Sequence, residues 1–403
     1  MRAFATFRDR LPPGFGDAVA LLLTMRIALG AVGLYLWWGA DLPGPCHFEV
    51  ARNGWLTIPP LADQGAEFPL IGMWQRWDAC WYSKIAAFGY EPQELSVTFW
   101  PLFPVLSGSV ARLFGGSVAL GGMIVSAVAY VAAMIGVYRL VARDVNDITA
   151  RRTMVLITIF PSAFFLFAPF TEALFLALAV WTMVAARERR WLLAGVIGLL
   201  AALTRIQGLF LALPIGWEAL AAAGLTGWRP WRDVHLPPIA WRPLILGGLA
   251  SVGPFLGFIG FLVFAETIAG KTALETQDAW GGAEFFLPWE VLDASWRWIV
   301  DRGDPLQFLN LFLLVVFGGL LVVAARRLPF AYTLYSVPQF MLLATRIQPT
   351  PLSSTTRYLL VIVPAFVIVA LLPWRRARLA WAITSIVFLA ILVQAFLTGS
   401  FVA

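Results

Sequence analysis

The stretch from Arg76 to Pro104 combines an acid, aromatic rings and several polar groups close behind the first apolar run. If residues 77–88 form a helix, Asp78 and Tyr82 share one side of it, because side chains four positions apart lie on the same face. A carboxylate held beside aromatic rings at the rim of a bilayer can take a proton from an alcohol. Asp78 is therefore a candidate general base, although capping of its own helix explains this residue about equally well.

The same helix has two further faces. One is an aromatic and cationic stripe suited to a membrane–water interface, formed by Trp77, Trp81, Lys84 and Phe88. The other is a small-residue face that a neighbouring element can approach closely, formed by Ala79, Ser83 and Ala86. Trp77, Trp81 and Tyr82 become candidates for contact with an acceptor or a sugar, because aromatic rings stack on sugars.

Polar side chains also interrupt or flank apolar runs later in the chain. With the topology given below they all fall on the same side as Asp78; they are Glu172, Arg205, Gln207, Glu275, Gln277, Asp278, Arg346, Arg357 and Tyr358. Arginine supplies a planar, permanently charged fork for phosphate. Arginines, a carboxylate and many aromatic rings at the bilayer rim suit a lipid phosphate that carries a sugar.

Each of these residues also has a structural explanation. Glu172 could cap a helix, but acids inside a membrane are costly and usually functional. Arg205 could hold helix carbonyls, and Arg357 and Tyr358 could anchor a helix end at the interface. For the loop cluster Glu275, Gln277, Asp278 and Trp280, a solvated surface is the default interpretation.

The elements that must position these residues are membrane-spanning helices. The chain has 403 residues, of which 60% are hydrophobic and 13% charged, and this excludes a soluble protein. An all-α polytopic bundle forming a single domain over residues 1–403 is expected. The net charge of +6 is then a topology signal and gives no reason to expect nucleic acid. Arg2, Arg8 and Arg10 precede the first apolar run and predict a cytoplasmic N-terminus.

About eleven spans are expected, with the C-terminus outside. Their ranges are 18–40, 117–141, 153–169, 172–187, 191–204, 207–224, 244–265, 306–325, 329–345, 358–373 and 379–399. Residues 41–116 and 266–305 form two external loops. Phe99–Gly115 is read as re-entrant or interfacial, because a span there would place four basic residues outside: Arg139, Arg143, Arg151 and Arg152.

Metal and disulfide chemistry have little support in the sequence. His47 and His235 are isolated, so no metal site and no cofactor are expected. The only two cysteines, Cys46 and Cys80, lie in the first external loop. Two free thiols are the favoured interpretation, with a disulfide as the alternative if that loop is outside the cell.

Four blocks of the sequence carry a family resemblance. In order they read WDACWYSKIAAFGYEP followed by FWPLFP, FPSAFFLFAPFTEALFLAL, ALTRIQGLFLALP and SSTTRYLLVIVPAF. This series resembles the bacterial relatives of GPI mannosyltransferase 2 (PIG-V-like), which belong to the GT-C glycosyltransferases. The chain departs modestly from the family pattern in FWPLFP and in Ile206 and Gln207 after the arginine.

The resemblance implies an inner-membrane enzyme whose site lies on the external, periplasmic face. It would move a sugar, usually mannose, from a polyprenyl-phosphate donor to an acceptor hydroxyl, with inversion and without a metal. Asp78 matches the catalytic base. The residues expected near the donor phosphate or sugar are Glu172, Arg205, Gln207, Arg357 and Tyr358. Gln277 and Trp280 join Trp77, Trp81 and Tyr82 as candidates for contact with the acceptor or the sugar. The acceptor, whether glycan, lipid or protein, stays open. The alternatives are a lipid-linked sugar flippase and the same transfer with another sugar.

Overall fold

The structure is a computed structural model. It describes residues 11–39, 47–50, 54–57, 68–92, 95–114, 117–226, 238–276, 285–347 and 350–402. Within these ranges the chain is almost entirely helical, as the sequence predicts, with a single short hairpin. Its strands β1 (His47–Val50) and β2 (Gly54–Thr57) pair antiparallel, with His47 opposite Thr57.

The helices are numbered here in chain order. The first eight are α1 (Phe15–Gly39), α2 (Asp78–Phe88), α3 (Leu102–Leu113), α4 (Val118–Asp144), α5 (Asp147–Thr158), α6 (Glu172–Arg187), α7 (Trp191–Ala202) and α8 (Ala212–Ala222). The other seven are α9 (Trp241–Ala269), α10 (Pro288–Arg302), α11 (Pro305–Arg327), α12 (Phe330–Ala344), α13 (Thr355–Leu359), α14 (Val363–Ala370) and α15 (Arg375–Leu397). Short 3₁₀ turns occur at Gly72–Trp74, Leu95–Thr98, Ala163–Leu166 and Ile206–Leu211.

Five helices of the described chain, α1, α4, α9, α11 and α15, are long and apolar enough to cross a membrane. The protein is therefore a multi-pass membrane protein. α3 has 12 residues, or about 18 Å at 1.5 Å per residue, which is too short to cross and agrees with a re-entrant or interfacial element.

Two of the expected spans are broken in the structure. The span expected at 153–169 ends at Thr158, and the one expected at 358–373 is divided between α13 and α14. Pro161 and Pro364 follow the two breaks. Proline lacks an N–H group and its ring clashes with the carbonyl four residues earlier, so a helix stops before it or restarts at it.

A cluster of phenylalanines fills the centre of the bundle beside the first break. Phe164, Phe165 and Phe170 are completely buried, and all three rings contact Phe396 of α15, with centroids 5.1, 5.7 and 6.0 Å away. Inside a membrane bundle such rings stabilise the fold through close van der Waals packing. The cluster fixes the start of α6, where Glu172 is the first residue.

Helix α2 packs against α3 through its small-residue face, as predicted. A Cβ added to Gly108 of α3 would lie 2.6 Å from the backbone oxygen of Ala86, so only glycine fits this crossing. The prediction that Lys84 lies at the membrane–water interface is wrong. Its side chain is 1% exposed, and its Nζ lies 3.8 Å from the Glu91 carboxylate and 5.6 Å from the centre of the Trp81 ring. The Lys84 ammonium is therefore surrounded by protein, with the Glu91 carboxylate and the Trp81 ring as neighbours in place of water.

The expectation of two free thiols is wrong for Cys80, which is disulfide-bonded. Its side chain lies on the first turns of α2, within the loop that also contains the second cysteine. That second cysteine, Cys46, lies outside the described residues.

Candidate active site

Residues from widely separated parts of the chain line one cleft of about 500 Å³. Helix α2 and the segments on either side of it supply Trp77, Asp78, Trp81, Tyr82, Thr98, Phe99 and Trp100. The remaining lining residues are Thr204, Arg205, Ile206, Gln207, Leu342, Leu343, Arg346, Leu352, Ser353, Ser354, Arg357, Tyr358 and Phe401. The cleft therefore joins aromatic and apolar walls to a small number of charged groups, a composition typical of ligand sites.

Four charged side chains form a connected network at this cleft. Arg205 and Arg357 both donate to the same carboxylate oxygen, Oε1 of Glu172. Arg357 also donates through Nη1 to Oδ2 of Asp78, at 2.5 Å, and Arg205 donates to Thr171 at 3.2 Å. Glu172 is completely buried, whereas the side chain of Asp78 is 32% exposed. The chain of ion pairs thus runs from the protein interior to a carboxylate that a ligand can reach.

The second oxygen of Glu172, Oε2, is also buried but accepts no hydrogen bond from the described protein groups.

Aromatic rings also contact each of the two arginines. The Arg205 guanidinium lies 4.7 Å from the centre of the Tyr358 ring, and that of Arg357 lies 4.8 Å from Phe170 and 5.1 Å from Phe165. Cation–π contacts of this kind stabilise a desolvated guanidinium.

Arg205 reaches the cleft because the chain reverses between α7 and the following 3₁₀ turn. Its backbone is extended, with φ −158° and ψ 150°. A Cβ on Gly208 would lie within 2.5 Å of the backbone of α7 at Ala201, so glycine is required for the turn to fold back this tightly. Gln207 on the same turn accepts a hydrogen bond from Nε of Arg205 at 3.4 Å.

Arg357 lies on the short helix α13, which is fixed by buried polar side chains from two other elements. Ser162 donates to the backbone oxygen of Thr356 at 2.7 Å. Asn310 of α11 accepts from the backbone N–H of Thr356, and Gln307 donates to the carbonyl of Pro351. These bonds satisfy backbone groups that a five-residue helix leaves unpaired.

Asp78 is the first residue of α2 and does not act as its N-cap. That position is taken by Trp77, whose side chain makes no capping bond and whose φ is 53°. Among the described non-glycine residues, four have positive φ, and three of them, Trp77, Leu352 and Ser354, line the cleft. Backbone strain of this kind persists where surrounding structure over-determines it and concentrates at functional sites.

Aromatic rings form one wall of the cleft. Trp81 stacks on Phe99 with centroids 5.5 Å apart, and Trp77 meets Phe401 edge to face at 5.1 Å. Tyr82 lies edge-on to Phe99 at 5.5 Å. Burial, followed by the nearby Asp78 carboxylate, raises the pKa of Tyr82 above its ordinary value. The phenol therefore stays protonated at neutral pH, so Asp78 is the better base of the two.

The structure brings most of the candidate residues together and separates a few. Lining the cleft or buried beside it are Trp77, Asp78, Trp81, Tyr82, Glu172, Arg205, Gln207, Arg357 and Tyr358. Glu275 does not reach it: its carboxylate accepts hydrogen bonds from Thr272 in a local turn. Gln277 and Trp280 lie outside the described residues.

Several cleft residues were not assigned to the site from sequence. Thr98 directly precedes the predicted re-entrant segment, Phe99 and Trp100 begin it, and Ser353 and Ser354 lie within a few residues of Arg357, so proximity to candidate residues was the available signal. Phe401 carries no such signal. In the described part of the chain no group of three His, Cys, Asp or Glu side chains is placed to hold a metal ion.

We expect the aromatic ring of Tyr358 to stabilise the buried Arg205 guanidinium, and its hydroxyl group to make no contribution. Tyr358→Phe keeps the ring 4.7 Å from the guanidinium, and Tyr358→Leu removes it. We expect the leucine variant to lose about 0.5–2 kcal/mol of unfolding free energy relative to the phenylalanine variant. Chemical denaturation of the two purified proteins in the same lipid–detergent mixture measures the difference. Equal stability would show that the ring does not stabilise the arginine.

Comparisons with known proteins agree with the broad expectation of a membrane glycosyltransferase. Residues 99–258 match the model of the dolichyl-phosphate-mannose-protein mannosyltransferase family (PMT_2). This segment contains Glu172, Arg205 and Gln207 but neither Asp78 nor Arg357. A search of curated proteins gives no match. The finer resemblance to relatives of GPI mannosyltransferase 2 stays a prediction.

Among solved structures, the comparison finds the oligosaccharyltransferase of Archaeoglobus fulgidus. The AglB complex with an inhibitory peptide and a dolichol-phosphate is 13% identical, with a TM-score of 0.46. The apo form of the A. fulgidus enzyme is 12% identical, with a TM-score of 0.45. In both cases the match covers 94% of this chain and 56% of the other. The chain thus spans little more than half the length of these proteins.

Proposed function

We propose that this protein is an integral-membrane glycosyltransferase that moves a sugar from a polyprenyl phosphate to an acceptor hydroxyl. Mannose is the sugar we favour. The observation that carries the proposal is the ion-pair network that runs from buried Glu172 through Arg357 to partly exposed Asp78 at an aromatic-lined cleft. The sequence resemblance and the family match over residues 99–258 support the same reaction class.

The charges of the cleft suit a phosphate leaving group. Arg205 and Arg357 face two carboxylates, Asp78 and Glu172, and Arg346 on the cleft wall adds a third guanidinium. By formal charge, the three guanidinium groups and two carboxylates of this set sum to about +1. Fixed positive charge at the leaving oxygen is the electrostatic stabilisation that phosphate departure needs.

In the proposed reaction Asp78 takes the proton of the acceptor hydroxyl. The acceptor oxygen forms a bond to the anomeric carbon while the bond between that carbon and the phosphate oxygen breaks. The electron pair leaves with the polyprenyl phosphate, and attack from the opposite side inverts the anomeric centre. Because the arginines supply positive charge at the phosphate, the proposed reaction needs no metal ion.

We place this site on the external face of the cell membrane, with the N-terminus in the cytoplasm. α6 and α11 both start near the cleft, at Glu172 and Pro305, and end on basic residues, Arg187 and Arg327. Basic residues collect at cytoplasmic helix ends. The disulfide of Cys80, in the loop that forms the cleft, also suits an oxidising compartment.

Incubation of the purified protein with a panel of radiolabelled polyprenyl-phosphate sugars and membrane extract tests the proposal. We expect label to pass to an acceptor from the mannose donor, and to do so equally with and without EDTA. The same protein in proteoliposomes reports movement of the labelled carrier between leaflets. Carrier movement without product would contradict transfer and indicate a flippase, and transfer from another sugar would correct the donor.

A further inference from the structure

Helix α10 divides its surface among three different environments. Two residues, Gly303 and Asp304, separate its C-terminal end from the membrane-crossing helix α11. Val291 and Ser295 are completely buried against the rest of the protein. The other residues of the helix separate into one apolar and one charged face, each with the spacing of three and four residues that marks a single side of a helix.

The apolar face consists of Trp289, Leu292, Trp296 and Val300, which are 64%, 37%, 56% and 64% exposed. The charged face is displaced from it by one residue throughout and consists of Glu290, Asp293, Arg297 and Asp301, all of them exposed. Asp293 and Arg297 pair along this face at 2.7 Å. A helix with one strongly apolar face containing tryptophan and one charged face is the type that lies in a membrane interface.

The attachment of α10 to α11 fixes how this helix is presented. Gly303 ends α10 with φ +64°, and Asp304 caps α11 by accepting from the N–H groups of Leu306 and Gln307. Trp298 of α10 donates to the same aspartate at 3.3 Å. α11 is long and apolar enough to cross a membrane, and its exposed apolar side chains begin at Phe308, in the second turn of that helix.

We propose that α10 is an in-plane membrane helix at the same end of the bundle as the cleft, with its apolar face inserted into the lipid boundary and its charged face in water. The occupant of the apolar face is the lipid surface, because a two-residue link and the Trp298–Asp304 hydrogen bond hold α10 at the end of the membrane-crossing helix α11. The segment before α10 also reaches the cleft wall: Phe286 donates to the carbonyl of Thr345 at 2.9 Å, and Phe285 pairs with Arg346. The lipid-held helix therefore anchors the segment beside Arg346. This inference does not depend on the proposed reaction.

Single-cysteine labelling tests the orientation. Full-length variants Leu292→Cys and Trp296→Cys on the apolar face are compared with Asp293→Cys and Arg297→Cys on the charged face, each labelled with NBD in phosphatidylcholine–phosphatidylglycerol vesicles. Cys80 is disulfide-bonded and does not take the label, and the parent protein without an engineered cysteine gives the background. We expect quenching by lipid-attached nitroxide to be about threefold stronger on the apolar face, and quenching by aqueous iodide to show the reverse order.

Equal access of iodide to all four positions would overturn the proposal, because the helix would then lie in water. Protection of positions 292 and 296 from both quenchers, with a disulfide-linked dimer of Trp296→Cys after oxidation, would overturn it in favour of a second copy of the chain. Gel filtration checks that each variant is folded. Val300→Cys replaces either apolar-face variant that is not.

Discussion

Asp78→Asn should lower the rate of sugar transfer by about 10²–10⁴-fold, the usual contribution of a general base. Asparagine has nearly the same shape as aspartate, and its carbonyl oxygen can still accept the hydrogen bond from Arg357, but it cannot take up a proton. The loss should therefore appear in kcat at saturating donor, with the fold preserved. Initial rates with purified protein and labelled donor measure it.

Asp293→Asn is a matched control for this variant. Asp293 is an acid on the same side of the bundle, 55% exposed and paired with Arg297 four residues along its own helix. The same carboxylate-to-amide change should leave transfer within about twofold of the parent, since exposed pairs contribute little. A fully active Asp78→Asn would remove the aspartate from the role of base, and an equal loss in both variants would indicate a general effect of charge.

Glu172→Gln should destabilise the protein by about 3–5 kcal/mol, because it leaves two buried guanidinium groups facing a neutral side chain. Glu172 is completely buried, and Arg205 and Arg357 both donate to one of its oxygens. Adding Arg205→Met removes one of the uncompensated charges, so the double variant should recover part of the loss. Arg357 would still be paired with Asp78.

Chemical denaturation of purified variants in one lipid–detergent mixture gives these differences in unfolding free energy. Glu188→Gln is the control: it lies just after α6, at the opposite end of that helix from Glu172, and its side chain is 21% exposed beside Arg139. We expect that variant to change stability by less than about 1 kcal/mol. A similarly small effect of Glu172→Gln would mean that the network does not hold the site together.

The long apolar helices were predictable because hydropathy and charge both mark them. α4 was expected at 117–141 and occupies Val118–Asp144, and α6 was expected at 172–187 with those same limits. The junction at Arg205 was also predictable, since a charged residue between two short apolar runs cannot lie within a continuous lipid-facing helix.

The broken helices around Pro161 and Pro364 were harder to predict. Both prolines lie in apolar runs that a hydropathy window reads as continuous, and the breaks are stabilised only in the folded state. Ser162 beside the first break donates to the backbone of Thr356, almost two hundred residues later. Hydrogen bonds between such distant positions leave no periodic signal in the sequence.

The location of the site was predictable but its internal pairing was not. Counting basic residues placed Asp78, Glu172, Arg205 and Arg357 on one side of the membrane. In the structure both arginines donate to Glu172, and of the two only Arg357 reaches Asp78. This pairing depends on the three-dimensional arrangement of α2, α6 and α13. The sequence suggested donor contacts for both arginines, and in the structure both also donate to Glu172.

Photolabelling tests most directly whether the cleft holds a lipid phosphate beside Asp78. The probe is a polyprenyl phosphate with a diazirine next to the phosphate, applied to the full-length protein in proteoliposomes and mapped by mass spectrometry. We predict label in residues 77–82 or 342–358, lost when excess unlabelled polyprenyl-phosphate mannose is added. Label confined to other segments, or label within these segments that the mannose donor does not displace, would contradict the account.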